Sequence, residues 1–154
     1  MKKLLFVTIF MTMLLTACGN SGVKTDVPDN PEGKATQAIV EQYITAYKNN
    51  DSDSLTSLYS DDLVWMDYGF NDGPYGKSGI SSIIREGLGT KYYTVKIDSY
   101  IITIDGRYAV LQGEYSQPNK TTAKWTSVPG YAVSEVKDGK ITSESWYYNV
   151  SAFH

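Results

Sequence analysis

Few residues in this chain belong to types that perform chemistry unaided, and their positions narrow the choices. Cys18 is the only cysteine and His154 the only histidine among the 154 residues. One thiol cannot close an internal disulfide, and one histidine at the final position offers no ligand set, so we expect no metal and no cofactor. Gly76-Lys77-Ser78 matches the end of a phosphate-binding loop, but that pattern requires a glycine five residues before Gly76, where Asn71 stands. The stretch therefore reads as a loop running into a helix cap. What the chain carries in quantity is aromatic surface with a polar edge: 13 tyrosines and 3 tryptophans against 4 phenylalanines. Trp65, Tyr68, Tyr93, Trp125, Tyr131, Trp146 and Tyr148 suit the walls of a pocket for a flat or ring-shaped molecule, since each pairs an apolar face with a hydrogen-bonding group. Strands favour aromatic residues in any case, and that preference accounts for more than half of the set.

The N-terminal residues carry a signal of another kind. Lys2 and Lys3 precede an apolar run over residues 4–15 broken only by threonines, and Leu15-Thr16-Ala17-Cys18 follows. A basic start, a short apolar middle and a small residue before the cut mark an export signal. The run is shorter than the roughly 20 apolar residues that cross a bilayer. Its last four residues resemble the lipobox of bacterial lipoproteins. That resemblance implies removal of residues 1–17 and a diacylglyceryl group on the Cys18 thiol. The product is then a lipid-anchored protein of the cell membrane or outer membrane, facing outside the cytoplasm. A two-chain lipid anchors stably where one chain binds only marginally. Losing Lys2 and Lys3 moves the formal charge from −3 to about −5 and leaves 137 residues, enough for one domain whose core holds without disulfides. With no basic stripe in view, nucleic acid is not an expected partner.

The elements that must position the aromatic residues follow from periodicity. Residues 18–35 are rich in Gly, Pro, Asn and Asp and read as a flexible tether, so the folded domain is expected over residues 36–154. Ile39, Tyr43, Ala46 and Tyr47 recur at helical spacing and predict a helix over 36–49. Asp51 and Asp53 cap a short second helix through Leu55, Leu58 and Tyr59, and residues 63–68 read as a strand. A loop over 69–79 leads to a third helix whose apolar face is Ile80, Ile83 and Ile84, ending at Gly87 or Gly89. From Val95 onward the period changes to about two. Asp105-Gly106, residues 117–120 and Asp138-Gly139 then turn a long antiparallel meander back and forth, the α+β pattern.

This order of elements resembles the nuclear transport factor 2-like fold, over residues 36–153. The stretches that carry the likeness are Tyr43 followed by Asp51, then residues 55–62 with a strand ending at Asp67, then Gly76-Lys77-Ser78-Gly79-Ile80. The last is Asp138-Gly139-Lys140-Ile141 through Trp146-Tyr147-Tyr148-Asn149. The final hairpin is similar to that of the SnoaL-like members, and the fold also includes ketosteroid isomerases. The resemblance implies an α+β domain in which a cone-shaped curved antiparallel sheet packs on three N-terminal helices around a pocket.

For function, the resemblance implies two candidates. In one, the pocket binds a small, largely apolar molecule, with Trp65, Tyr131, Trp146, Tyr148 and Asn149 as ligand-binding residues. In the other, the chain is an isomerase, cyclase or dehydratase that uses Asp67 as general base and Tyr43 as oxyanion donor, the roles that the isomerase pattern gives to those positions. Two departures weigh on the enzyme. The isomerase's second acid has no counterpart in Val128-Pro129-Gly130-Tyr131-Ala132, where Tyr131 is the one side chain able to donate in its place, and the SnoaL group's Tyr-Asp on the last strand is Tyr148-Asn149 here. Asn carries no titratable carboxyl. The fold also commonly pairs through its exposed sheet face, so a homodimer is a further expectation.

Overall fold

The computed structural model describes residues 24–154. Cys18 and the expected export signal lie outside the described residues. The first described element is β1 (Lys24–Asp26), which pairs in parallel with residues 99–101. Helix α1 (Pro31–Asn49) follows. It starts at Pro31 rather than at Thr36, because the Asn30 side chain caps it by accepting from the Gly33 amide at 2.6 Å, and proline fits the first helical turn, where no backbone donor is needed. The cluster of Asn and Pro expected to be tether is thus the start of a helix, and the span 18–35 expected to be tether loses its C-terminal part to β1 and α1.

The short α2 (Ser52–Ser57) is capped by Asp51, whose carboxylate accepts from the Ser54 amide at 2.9 Å. Tyr59, expected on that helix, instead opens β2 (Tyr59–Asp67). A short β3 (Asp72–Tyr75) then lies where only a loop was expected. Helix α3 (Lys77–Gly89) buries Ile80, Ile84 and Leu88. Strands β4 (Thr94–Ile102), β5 (Tyr108–Pro118), β6 (Trp125–Lys137) and β7 (Lys140–Tyr148) form the expected meander, and a final 3-10 turn (Val150–Phe153) ends it. Asp138 and Gly139, both at positive φ, make the last turn as the sequence predicts.

The strand order is β1-β4-β5-β6-β7-β2-β3. The expected sheet was antiparallel; the observed one is mixed, since β1 runs parallel to β4 and β2 runs parallel to β7. The second of these pairings closes the domain, because β2 enters from the helices and can reach the meander only along the free side of its last strand. The sheet curls over the helices, and Leu55, Tyr59, Ile80, Leu111, Ala132 and Trp146 are among the buried residues of one continuous core. Curvature is built where β4 carries an irregularity between Ile97 and Ser99 opposite Gly113 of β5, which pairs in turn with Gly130 of β6. A Cβ on Gly113 would stand 1.9 Å from the Lys96 carbonyl oxygen, so only glycine lets the strands approach there. Gly113→Ala is expected to destabilise the domain by about 1–3 kcal/mol. Chemical denaturation checks this, and an unchanged midpoint would mean that the bend does not depend on the close approach.

Candidate functional site

In the parallel pairing of β2 with β7, Trp65 lies beside Glu144 and Asp67 beside Trp146. Alternation along each strand turns Trp65 and Asp67, and Glu144, Trp146 and Tyr148, toward the helices. Glu144 is completely buried. Its Oε1 accepts from the indole N–H groups of Trp146 at 2.7 Å and Trp65 at 3.0 Å, and from the hydroxyls of Tyr43 at 3.0 Å and Tyr59 at 3.1 Å. Its Oε2 accepts from Ser134 Oγ at 3.1 Å. The ion pairs among the described residues all lie elsewhere, so neutral donors alone compensate this carboxyl. Desolvation raises its pKa above the ordinary glutamate range, and the indole and phenol donors oppose that rise.

One period of alternation away, Asp67 is buried. Its Oδ2 accepts from the Tyr148 hydroxyl, and its Oδ1 accepts from the Phe70 amide at 2.9 Å. Burial pushes the carboxyl up, against the pull of Tyr148 and of the Phe70 and Gly69 amides. The Tyr148 hydroxyl is in turn held protonated, by burial and then by this contact. Behind Tyr148 the rings of Tyr115 and Tyr93 stack in series, with centroids 4.6 and 5.6 Å apart.

These side chains surround a cavity in two parts. An inner chamber of about 60 Å³ is walled by Tyr47 of α1, Ile80, Ile83 and Ile84 of α3, Trp65 and Asp67 of β2, Val95 of β4, Tyr115 of β5, Trp146 and Tyr148 of β7, and Tyr93. An adjoining outer bowl of about 430 Å³ shares Trp65, Asp67, Ile83, Tyr93 and Tyr115 with it and extends past Phe70, Asp72, Glu86, Tyr92, Gln117 and Lys120. Asp67 therefore stands where the two meet. The chamber has room for about two waters, or for the end of a larger molecule whose body fills the bowl. Among the described residues, no three His, Cys, Asp or Glu side chains gather as a metal site.

The structure sorts the residues singled out from the sequence into two sets. Asp67, Trp65, Trp146 and Tyr148 line the cavity. Tyr43 does not: it is buried beneath the wall with its hydroxyl on Glu144, so the pairing of Tyr43 with Asp67 across a substrate is corrected. The helical spacing gave Tyr43 the right face of α1, but a residue 101 positions later engages its hydroxyl. Tyr131 is also corrected. It is half exposed on the outer face of the sheet, stacked on Tyr147 at 5.4 Å, because its neighbours Gly130 and Ala132 take the inward positions of β6. Asn149 caps the final turn by accepting from the Ser151 amide at 3.0 Å, which turns it away from the ligand-binding role expected for it. Sequence reasoning missed Glu144, although the alternation Glu144-Trp146-Tyr148 puts a carboxyl on an inward face and was there to be read.

A family model of the SnoaL-like domain matches residues 40–144. No curated protein sequence matches the chain. Among solved structures, the chain is similar to the epoxide hydrolase/cyclase-like enzyme SalBIII of pyran ring formation in the polyether salinomycin. The TM-score is 0.66 at 14% identity, over 77% of this chain and 94% of that one. It is also similar to TerC co-crystallised with polyporic acid, with a TM-score of 0.63 at 16% identity over 78% and 95% of the two chains. A third similar structure is a protein of ketosteroid isomerase-like fold from Catenulispora acidiphila, in complex with trimethylamine. There the TM-score is 0.63 at 19% identity over 75% and 88% of the chains. At these identities the likeness is one of fold.

Glu144→Leu leaves at least the two indole N–H groups buried without an acceptor and is expected to cost about 2–6 kcal/mol, at roughly 1–3 kcal/mol for each. Glu144→Gln keeps an acceptor for the indoles and turns its amide toward Ser134, so its loss is smaller. Because burial raises the folded-state pKa of Glu144, its contribution is fully present below the ordinary glutamate range and is lost as pH rises through the folded value. The stability of Glu144→Gln relative to the natural chain should therefore increase with pH. Urea denaturation of both proteins across pH 4–8 tests this, and parallel pH curves would remove Glu144 as the source.

Proposed function

The chain belongs to the SnoaL-like domain family, and from that premise we propose that it is an envelope-anchored lipoprotein whose single domain binds a small, largely apolar molecule in the two-part cavity. The observation that carries this reading is the position of Asp67. It is the one carboxyl shared by chamber and bowl, set among aromatic walls and already oriented by Tyr148 and the Phe70 amide. Such a site, mostly apolar with one placed polar group, is what small-molecule recognition requires. The anchor rests on Leu15-Thr16-Ala17-Cys18 and the segment before it. It places the pocket at a membrane surface outside the cytoplasm. The outer sheet face, where Trp125 and Tyr131 are exposed, suits a second copy of the chain.

The Asp67–Tyr148 contact favours a second reading, in which the domain is an enzyme of the isomerase, cyclase or dehydratase kind. Asp67 is then the base that removes a proton beside a carbonyl, with burial raising its basicity. Tyr148, in place of Tyr43, is the phenol near enough to hydrogen-bond a developing oxyanion. The epoxide hydrolase/cyclase-like neighbour is consistent with such chemistry on this scaffold.

Asp67→Asn separates the two readings, since Asn can keep its Oδ1 on the Phe70 amide and donate from Nδ2 to the Tyr148 hydroxyl oxygen, which keeps the wall in place. Once mass spectrometry has identified the molecule that co-purifies with the protein, turnover lost at least a hundredfold with binding retained identifies an enzyme. No conversion by the natural chain identifies a binding module. Absence of any bound molecule, with no binding from a small-molecule panel, overturns both. For the anchor, Cys18→Ser is expected to move the protein from the membrane fraction to the soluble one and to abolish palmitate labelling. Unchanged fractionation would refute the lipid attachment.

A further inference from the structure

Several donors around the cavity are turned onto the protein itself. The two indole N–H groups point away from the cavity to Glu144, which lies outside its lining, so Trp65 and Trp146 offer it carbon and π surface only. The Tyr148 hydroxyl donates to Asp67, and the Tyr115 hydroxyl donates to Gln117 Oε1 at 3.2 Å. At the bowl, the Thr90 hydroxyl donates to the Glu86 carbonyl at 2.7 Å. These donors are engaged with the protein itself, and Asp67 is the one carboxyl that both parts of the cavity share. Asp67 has about four lone-pair positions and receives the Tyr148 hydroxyl and the Phe70 amide, so it keeps capacity to accept from a donor in the cavity that it lines. Charge is arranged the same way. Asp72 and Glu86 join Asp67 around the bowl against the single cation Lys120, and no ion pair among the described residues engages any of these four.

We propose that the pocket is selective for an organic cation: a protonated amine whose ammonium end enters the inner chamber beside Asp67 and whose apolar body lies in the outer bowl. This rests on the reading of the cavity as a small-molecule site and specifies the ligand that site takes. An ammonium supplies donors and a positive charge, the complement of a carboxyl set among aromatic faces. A chamber of about 60 Å³ takes a primary or singly methylated head group and excludes a bulky one. Aromatic faces close to a desolvated cation add attraction through their quadrupoles, and Asp67 supplies the counter-charge without which burying the ammonium is prohibitive. An anionic ligand meets the opposite of each condition.

The test is calorimetry on the full chain in detergent, with heats of titration into protein-free micelles subtracted, comparing benzylammonium with benzyl alcohol, a neutral probe of nearly the same shape. Benzylammonium is expected to bind at least tenfold more tightly, and Asp67→Asn to remove most of that preference. Lys120→Glu supplies a second variant on an exposed side chain, where a misfolded product is not expected; it should tighten benzylammonium severalfold and leave benzyl alcohol unchanged. Equal or tighter binding of benzyl alcohol to the natural chain overturns the cation preference while the small-molecule reading stands. Benzylammonium binding that Lys120→Glu weakens or leaves unchanged also overturns it. Failure of benzylammonium to bind overturns it too, and the identity of the co-purifying molecule then judges the broader reading separately.

Discussion

A carboxyl buried without a cation is the constraint around which this domain is arranged. Taking a carboxylate out of water costs several kcal/mol even after relaxation, and Glu144 survives there because its donors come from separate parts of the chain: Tyr43 from α1, Tyr59 and Trp65 from β2, Ser134 from β6 and Trp146 from its own strand. Each donor is buried or nearly so and would itself be costly if unpaired. The cluster therefore acts as one unit, in which removing any member exposes the others to a desolvation penalty. It also decides how the pocket is dressed. With both indole N–H groups held behind the wall, the cavity meets the hydrocarbon of the tryptophans, and Asp67 becomes its dominant polar feature.

The elements visible in the sequence were those whose cause is local. The apolar period of α1 and α3, the turn at Asp138-Gly139 and the alternation of β4 to β7 depend on neighbours within a few residues, and each was found near its expected place. The start of α1 was displaced because Asn30 and Pro31 favour a loop and a helix start alike, and only the capping bond to Gly33 distinguishes them. The parallel register of β2 with β7 and the addition of β3 were invisible, since both depend on which distant edge a strand reaches.

The same division explains the site. Asp67, Trp65, Trp146 and Tyr148 were legible because strand alternation and residue type together aim them inward. Tyr131 was misplaced by a period-two pattern whose phase is ambiguous in a strand that carries glycine and alanine on one side and an aromatic on the other. Tyr43 shows a different limit: its burial follows from the helix, its partner from the whole topology. On the last strand Asn149 follows Tyr148, and the fold brings the Tyr148 phenol onto Asp67.

The adjacency of β2 and β7 also governs when a pocket can exist at all. Trp65 and Glu144 stand 79 residues apart, and Asp67 and Tyr148 stand 81 apart, so both halves of the wall meet only across most of the domain's length. During synthesis the helices and β2 emerge early, carrying the Tyr43, Tyr59 and Trp65 donors, whose acceptor Glu144 arrives only with the last hairpin. Contacts of this separation slow folding, because the loop between them must be closed before they contribute. A nascent or shortened chain therefore has helices but no binding site, and the completed molecule gains its core and its recognition surface in the same late step.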